Sequence, residues 1–327
     1  MMSSKVIIFA AVLTWVTVHS SPPAWIRLEA DQPKLGTLVR IVLYTTDSLA
    51  GMTALEEAFR ELDRINALIS DYDPDSELSR INRLQSKDTI AISPELTEIL
   101  STSRSVNIQS RGAFDPTVKP CVDYWREIRV SGKPLRMNKI RRLKRSIGFD
   151  LMYLDTTGHR MAKGTPNMAL DLGGIGKGYL GDRIIAFLSG RGFPRAMIDL
   201  GGDLVAGEPP PGQLGWPIAF PEEDDCHFLL NHQALAGSGG TYQYIERRGK
   251  RYSHIIDPRN GLGIEASRSA YVLASKGSDA DAWASALSVL GAEAASLALP
   301  VIWQVTDDQL SLASPDFNEY LHCKNEQ

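Results

Sequence analysis

Between residues 37 and 69 the spacing of hydrophobic positions shifts from two to between three and four, and that shift predicts a strand feeding a helix. Thr37 to Tyr44 has the alternation and β-branched content of a strand, while Leu55, Phe59, Leu62, Ile65 and Ile69 mark one face of a helix. Ser93-Pro94-Glu95 starts another helix, with a capping serine and a proline in its first turn, running to about Ser105. Ile140, Leu143 and Ile147 give the basic run Arg141-Arg142-Leu143-Lys144-Arg145 a buried side, so the run reads as the wet face of a helix. A short strand pair is expected near Met152 to Met161. Asn167 to Leu172 then reads as a strand entering a glycine-rich corner, followed by a helix to about Ser189. Further strands are expected at Ala196 to Leu200, Pro217 to Phe220, Tyr242 to Arg247, Arg251 to Ile256, Ala270 to Ala274 and Val301 to Thr306. Helices are expected at Asp279 to Leu290 and Ala292 to Leu299. Strands and helices do not alternate strictly, which favours α+β layering over a doubly wound parallel sheet.

With 327 residues, 43% of them hydrophobic, the chain can bury a full core. Pro209-Pro210-Pro211-Gly212 reads as a surface loop, since strands continue on both sides. The net charge of −4 offers no general field for nucleic acid or an anionic membrane, so phosphate recognition has to be local. Residues 1–20 differ from the rest. Lys5 precedes the apolar run Val6 to Val18, and Val18-His19-Ser20 precedes Ser21, the pattern of a secretory signal peptide; a retained anchor is the alternative, although the run is short for a bilayer. Residues 21–315 then form one domain and 316–327 a C-terminal tail, in a protein exported to a compartment such as the bacterial periplasm. No cysteine lies near the cleavage region to carry a lipid anchor. Cys121, Cys226 and Cys323 lack metal-site spacing; one disulfide of open pairing is allowed, and Cys121 fits a small buried hydrophobe.

The most telling stretch is Asp171-Leu172-Gly173-Gly174-Ile175-Gly176-Lys177-Gly178-Tyr179, an acid, a glycine run and a lysine where a helix begins. Glycines let backbone N–H groups approach an anion, the helix offers its positive end, and Lys177 adds a charge. Neither a Walker A loop nor a dinucleotide fingerprint fits: Gly178 follows the lysine where Ser or Thr is required, and the third glycine is displaced. Asp281 and Ser285 are four apart in a helix and leave one face together, with Asp279 nearby, an oxygen set suited to Mg2+. Asp279 equally serves the helix dipole. His254 precedes an Asp-Pro-Arg-Asn-Gly turn, can donate to a phosphate or carry a proton, and equally suits a structural role. Tyr72 sits in a polar segment with no periodic core reason for a ring, and can pack on a flat heterocycle. In Gly112-Ala113-Phe114-Asp115-Pro116-Thr117, Asp115 is an acid able to accept from a base or ribose, although turn formation also accounts for it. Ser238 lacks the nucleophile-elbow pattern because position 236 is Ala.

Taken in order, Leu35-Gly36-Thr37, Tyr72 to Asn82, Gly112 to Val118, Asp171 to Tyr179, Gly201-Gly202-Asp203, Tyr252 to Gly261 and Ala280 to Ala286 resemble the FAD:protein FMN transferase family, the ApbE-type proteins. The matches span about residues 30 to 310. The resemblance implies an ApbE-like, T-fold-related α+β fold of mixed sheets with packed helices. It also implies an enzyme using FAD as substrate, moving its FMN half onto a Thr or Ser hydroxyl of an acceptor and releasing AMP. By similarity, Gly174 through its carbonyl, Asp281 and Ser285 hold Mg2+, while Leu35, Tyr72, Ala113, Phe114, Asp115, Asp171, Lys177 and Ile255 line the FAD site. His254 is a candidate for phosphate contact or proton transfer. Implied acceptors are subunits of membrane redox complexes or secreted flavoproteins. This chain departs from the family pattern at Ser285 for a usual Thr, Gly174 for a common Ala, Gly237 for the Thr of Thr-Ser-Gly, and Asn260 for a frequent Thr. The same residues are compatible with a FAD pyrophosphatase, a non-catalytic periplasmic FAD-binding protein, or, through the glycine loop alone, a nicotinamide-dinucleotide enzyme.

Overall fold

The computed structural model describes residues 24–239, 244–247, 250–265 and 268–324; the expected signal peptide lies outside them. Its centre is a sheet of eight strands: Ile26–Lys34, Thr37–Thr45, Ala196–Leu200, Leu204–Ala206, Ala234–Gly239, Ser269–Ala274, Ile302–Asp307 and Leu310–Ala313. Their order in space is their order in the chain. Every neighbouring pair is antiparallel, which rules out the doubly wound alternative and gives the expected α+β class.

Period-two alternation sends side chains to two separate cores. Val39, Ile41 and Leu43 face the helices, as do Ala234, Ala236, Ala270 and Val272. Val42, Leu235 and Leu273 face the other way, onto a small sheet formed by Trp216–Ala219, Cys226–Leu230 and His322–Cys323. Phe220, Phe228 and Phe317 meet edge to face in this second core. A Cys226–Cys323 disulfide closes it, while Cys121 is free and buried. Residues 316–324, set aside in the sequence as a tail, are therefore part of the folded body.

The helices are α1 (Ser48–Ile69), α2 (Glu77–Arg83), α3 (Pro94–Gln109), α4 (Lys119–Ser131), α5 (Met137–Leu143), α6 (Gly176–Gly190) and α7 (Gly277–Leu290). All but α7 are inserted between the second and third strands of the sheet. Local signals account for α1 and α3: Asp47 accepts from Ala50 N–H at 3.0 Å, and Ser93 Oγ accepts from Leu96 N–H at 3.1 Å. The α1 residues expected inside, Leu55, Phe59, Leu62, Ile65 and Ile69, are buried.

Two expected elements differ. Asn167–Leu172 is not a strand: Asn167 lies in a turn, and the stretch makes a single parallel bridge, Val118 to Ala169. The side chain of Asn82 replaces a neighbouring strand there, donating to the Leu170 carbonyl at 2.9 Å and accepting its N–H at 2.7 Å. Residues 291–296 form a 3-10 turn, so the expected Ala292–Leu299 helix is absent; the chain breaks at Gly291, whose φ is +52°. Of the expected Tyr242–Arg247 strand, Tyr244–Arg247 is present and 242–243 lie outside the described residues.

Candidate functional site

Two helices create the site by meeting at their beginnings. A Cβ on Gly178 would stand 1.9 Å from the Gly277 carbonyl oxygen, so the backbones of α6 and α7 touch where any larger residue would hold them apart. Once there, each helix satisfies the other's free amides. Asp182 on α6 accepts from Gly277 and Ser278 N–H at 2.6 and 2.9 Å, and Asp281 on α7 accepts from Gly178 N–H at 3.1 Å.

This packing lays one face of α7 along the glycine corner. Gly178 abuts Asp281, and an added Cβ on Gly174 would lie 2.7 Å from Ser285 Oγ. The i, i+4 pair of α7 therefore matches, in reverse order, the i, i+4 pair Gly174 and Gly178. Above it opens a cavity of about 480 Å3, lined by Tyr72, Ala113, Phe114, Asp115, Asp171, Gly174, Lys177, His254, Ile255, Asp281 and Ser285 among others. Leu35 is the exception among the expected site residues. It sits at φ +56° in the turn joining the first two strands and packs on the main core, not on the cavity. Asp279, in the first turn of α7, also stays out of the lining.

The charges are held against burial. Burial works against the charge of Lys177, but contact with Asp203 and the nearby Asp281 outweighs it and keeps the amine above the ordinary lysine range. Asp203 is 2% exposed; one carboxylate oxygen meets Lys177 and the other accepts from Gly237 N–H at 3.2 Å. Burial, then repulsion from Asp203, pushes the Asp281 carboxyl up to about 7, with Lys177 and two backbone N–H groups pulling the other way. Asp281 is thus short of positive charge. Beside it lie a hydroxyl on Ser285 and the backbone of Gly174, and this oxygen set fits a hard divalent cation.

At the mouth, Arg126 of α4 ties together two other segments. It donates to Asp71 Oδ2 at 3.1 Å, Tyr72 Oη at 3.2 Å and Asp171 Oδ2 at 3.4 Å, and its guanidinium lies 5.2 Å from the Tyr72 ring centroid. Tyr72 is 80% exposed, so the face of its ring away from Arg126 is open to a ligand. Asp171 is raised by burial and by Asp71, and its Oδ1 accepts Gly173 N–H at 2.8 Å, fixing the start of the glycine turn.

Asp115 lines the cavity and also fills the turn-forming role that its loop allowed. Its Oδ1 accepts from Thr117 N–H and Oγ at 2.8 and 2.6 Å, and its Oδ2 from Phe149 N–H at 3.0 Å. The carboxylate organises its own loop, which presents Ala113 and Phe114 to the cavity. Gly237 faces away from α7: a Cβ there would meet Tyr271 at 3.4 Å, while its neighbour Ser238 bonds Ser288 of α7 at 2.9 Å. A side chain at 237 would therefore not approach Asp281.

Sequence reasoning missed Arg126, Trp125 and Arg129 of α4, and it named Asp203 within the Gly201-Gly202-Asp203 match without giving it a role. The α4 residues announce themselves through Cys121, Tyr124, Trp125 and Ile128, an i, i+3, i+4, i+7 pattern on a buried face. Asp203 is marked only by the glycine turn before it, Gly201 and Gly202, both at positive φ.

Fold and site together define an α+β protein with a cavity where the lysine at the start of one helix stands beside a buried acid of another. The chain belongs to the ApbE family, whose model matches residues 35–300. It is 28% identical to the FAD:protein FMN transferase of Escherichia coli (strain K12) over 342 residues, covering 97% of each chain. It is 31% identical to the protein of the same name from Haemophilus influenzae, covering 82% of this chain and 84% of that one. The solved flavin transferase ApbE from Vibrio cholerae superposes with a TM-score of 0.76 at 26% identity, over 91% of this chain and 100% of that one.

Proposed function

We propose that this protein transfers the FMN half of FAD to a Thr or Ser hydroxyl of an acceptor protein and releases AMP, with Mg2+ as its metal. One observation carries the reading: the Asp281 and Ser285 face of α7 lies directly on the glycine corner that carries Lys177. The reaction exchanges a phosphoanhydride bond for a phosphate ester. The acceptor oxygen bonds to the phosphorus of the FMN phosphate, the bridging P–O bond breaks, AMP leaves with the bridging oxygen, and the hydroxyl proton departs.

Such a transfer depends on position and neutralised charge more than on a strong covalent catalyst. Gly174, Asp281 and Ser285 would hold the metal, which when bound neutralises phosphate charge and makes an attacking hydroxyl easier to deprotonate. Lys177, kept charged by Asp203, faces the diphosphate. Tyr72 and Phe114 offer rings to the flat parts of FAD. His254, exposed on the cavity wall, takes the departing proton or contacts a phosphate.

The disulfide and the apolar N-terminal run support an exported location, where the acceptor is a subunit of a membrane redox complex or a secreted flavoprotein. Incubation with FAD, Mg2+ and such an acceptor tests the reading: flavin bound covalently to the acceptor, with AMP released, supports it. FAD bound but left intact refutes it. Free FMN released without any acceptor assigns the site to hydrolysis instead.

A further inference from the structure

Charge is distributed unevenly along this chain. Residues 126–145 carry nine Lys or Arg and a single acid, Glu127, within a protein of net charge −4. These residues form the second half of α4, all of α5 and the 3-10 turn that follows. Arg136, Arg141, Arg142 and Arg145 are exposed, and none of the four pairs with an acid among the described residues. Lys133 and Lys139 share Glu127 at 3.4 and 3.0 Å. A shallow cleft of about 590 Å3 runs between Arg136, Met137, Asn138, Lys139 and Arg142.

The patch is attached to the wall of the cavity. Arg126 and Arg129, at its near end, line the cavity itself. The Arg136 N–H donates to Tyr124 Oη at 2.9 Å, and Lys144 donates to the carbonyl of Arg259, next to the lining residue Pro258. Tyr124, Ile128, Ile140 and Ile147 pack with Ile256, another lining residue, in one small core. Crowding unpaired like charges costs stability through repulsion. A diphosphate held at Lys177 and Asp281 has no use for cations on the outer side of α5.

We propose that this basic face docks the acceptor protein through acidic residues flanking its reactive hydroxyl. The inference rests on the transferase reading and names the chemistry of its second substrate. A bilayer is another source of negative charge, but it brings no Thr or Ser hydroxyl for the transfer. A protein face can bring both the acids and the hydroxyl. Exposed charges of this kind mainly accelerate encounter and are screened by salt.

The test uses the full protein with FAD, Mg2+ and two fluorescein-labelled peptides of equal length, each with a central threonine, flanked by glutamates in one and glutamines in the other. Fluorescence anisotropy at low salt should show the glutamate peptide binding about tenfold more tightly, an advantage that shrinks at high salt. The combined Arg141→Glu, Arg142→Glu, Arg145→Glu variant should lose that advantage and keep its FAD affinity; Arg142→Glu alone should lose part of it. Equal affinity for the two peptides, or a triple variant that binds like the parent, overturns the proposal. Sedimentation with phosphatidylglycerol vesicles without any peptide preference also overturns it, assigning the face to a membrane. AMP release, read on the same samples, separates the two readings: if it persists without peptide preference, only the docking inference fails, and if FMN transfer and AMP release are absent, the transferase reading fails and takes the inference with it.

Discussion

Asp182 and Asp281 cap each other's helices: each accepts backbone N–H groups from the first turn of the helix that carries the other. The exchange fixes the register of α6 against α7, and that register puts Ser285 beside Gly174. A structural aspartate and the proposed metal ligand are thus two halves of one device.

Asp182→Ala should lower stability by about 2–4 kcal/mol, because it strands two amides at the buried start of α7. Thermal melts should fall by about 5 °C or more, and Asp182→Asn, which keeps an acceptor, should recover part of the loss. A melting temperature unchanged by Asp182→Ala would show that the helix contact does not depend on the caps.

Asp281→Asn keeps an acceptor for Gly178 while removing the charge that a divalent cation needs. The fold should survive, and AMP release should drop by about 100-fold or more. Chelation of divalent ions should reproduce that loss in the unaltered protein. Turnover that persists in both experiments removes the metal assignment.

Arg126→Gln should weaken FAD binding about tenfold, since it frees Tyr72 and Asp171 from their shared partner, and should change kcat by less than about threefold. Steady-state kinetics with varied FAD reads the split between KM and kcat. An unchanged KM would mean that the ring is positioned by its own loop, where Ser70 Oγ already accepts the Tyr72 N–H at 3.2 Å.

The Cys226–Cys323 bond spans 97 residues and secures the small sheet behind the cavity. Reduction, or Cys226→Ser, should lower stability by about 2–5 kcal/mol, with FAD affinity retained because the cavity lies in the other core. Calorimetry with and without reductant measures the first effect and flavin fluorescence the second.

The sequence made the site more legible than the elements around it. Leu55, Phe59, Leu62, Ile65 and Ile69 reveal α1 because its buried face is continuous, and the glycine corner reveals itself because the close approach of α7 leaves no room for a Cβ at Gly174 or Gly178. Asn167–Leu172 misleads because its hydrogen-bond partner is one amide on Asn82, 88 residues from Leu170. The Ala234–Gly239 strand was hidden by composition: small residues on its helix-facing side, Ala234 and Ala236, let α7 pack closely but give no β-propensity signal. The turn role of Asp115 was legible from its loop, whereas its bond from the Phe149 N–H, 34 residues on, leaves no local trace. The ApbE resemblance, read from seven ordered segments, is borne out by the family match over residues 35–300.

The central claim is that the site transfers FMN. Mass spectrometry of an acceptor protein incubated with this chain, FAD and Mg2+ tests it most directly. The account predicts an acceptor heavier by one FMN group on a single Thr or Ser, with one AMP formed per label. An acceptor of unchanged mass, with FAD recovered whole from the cavity, would contradict it.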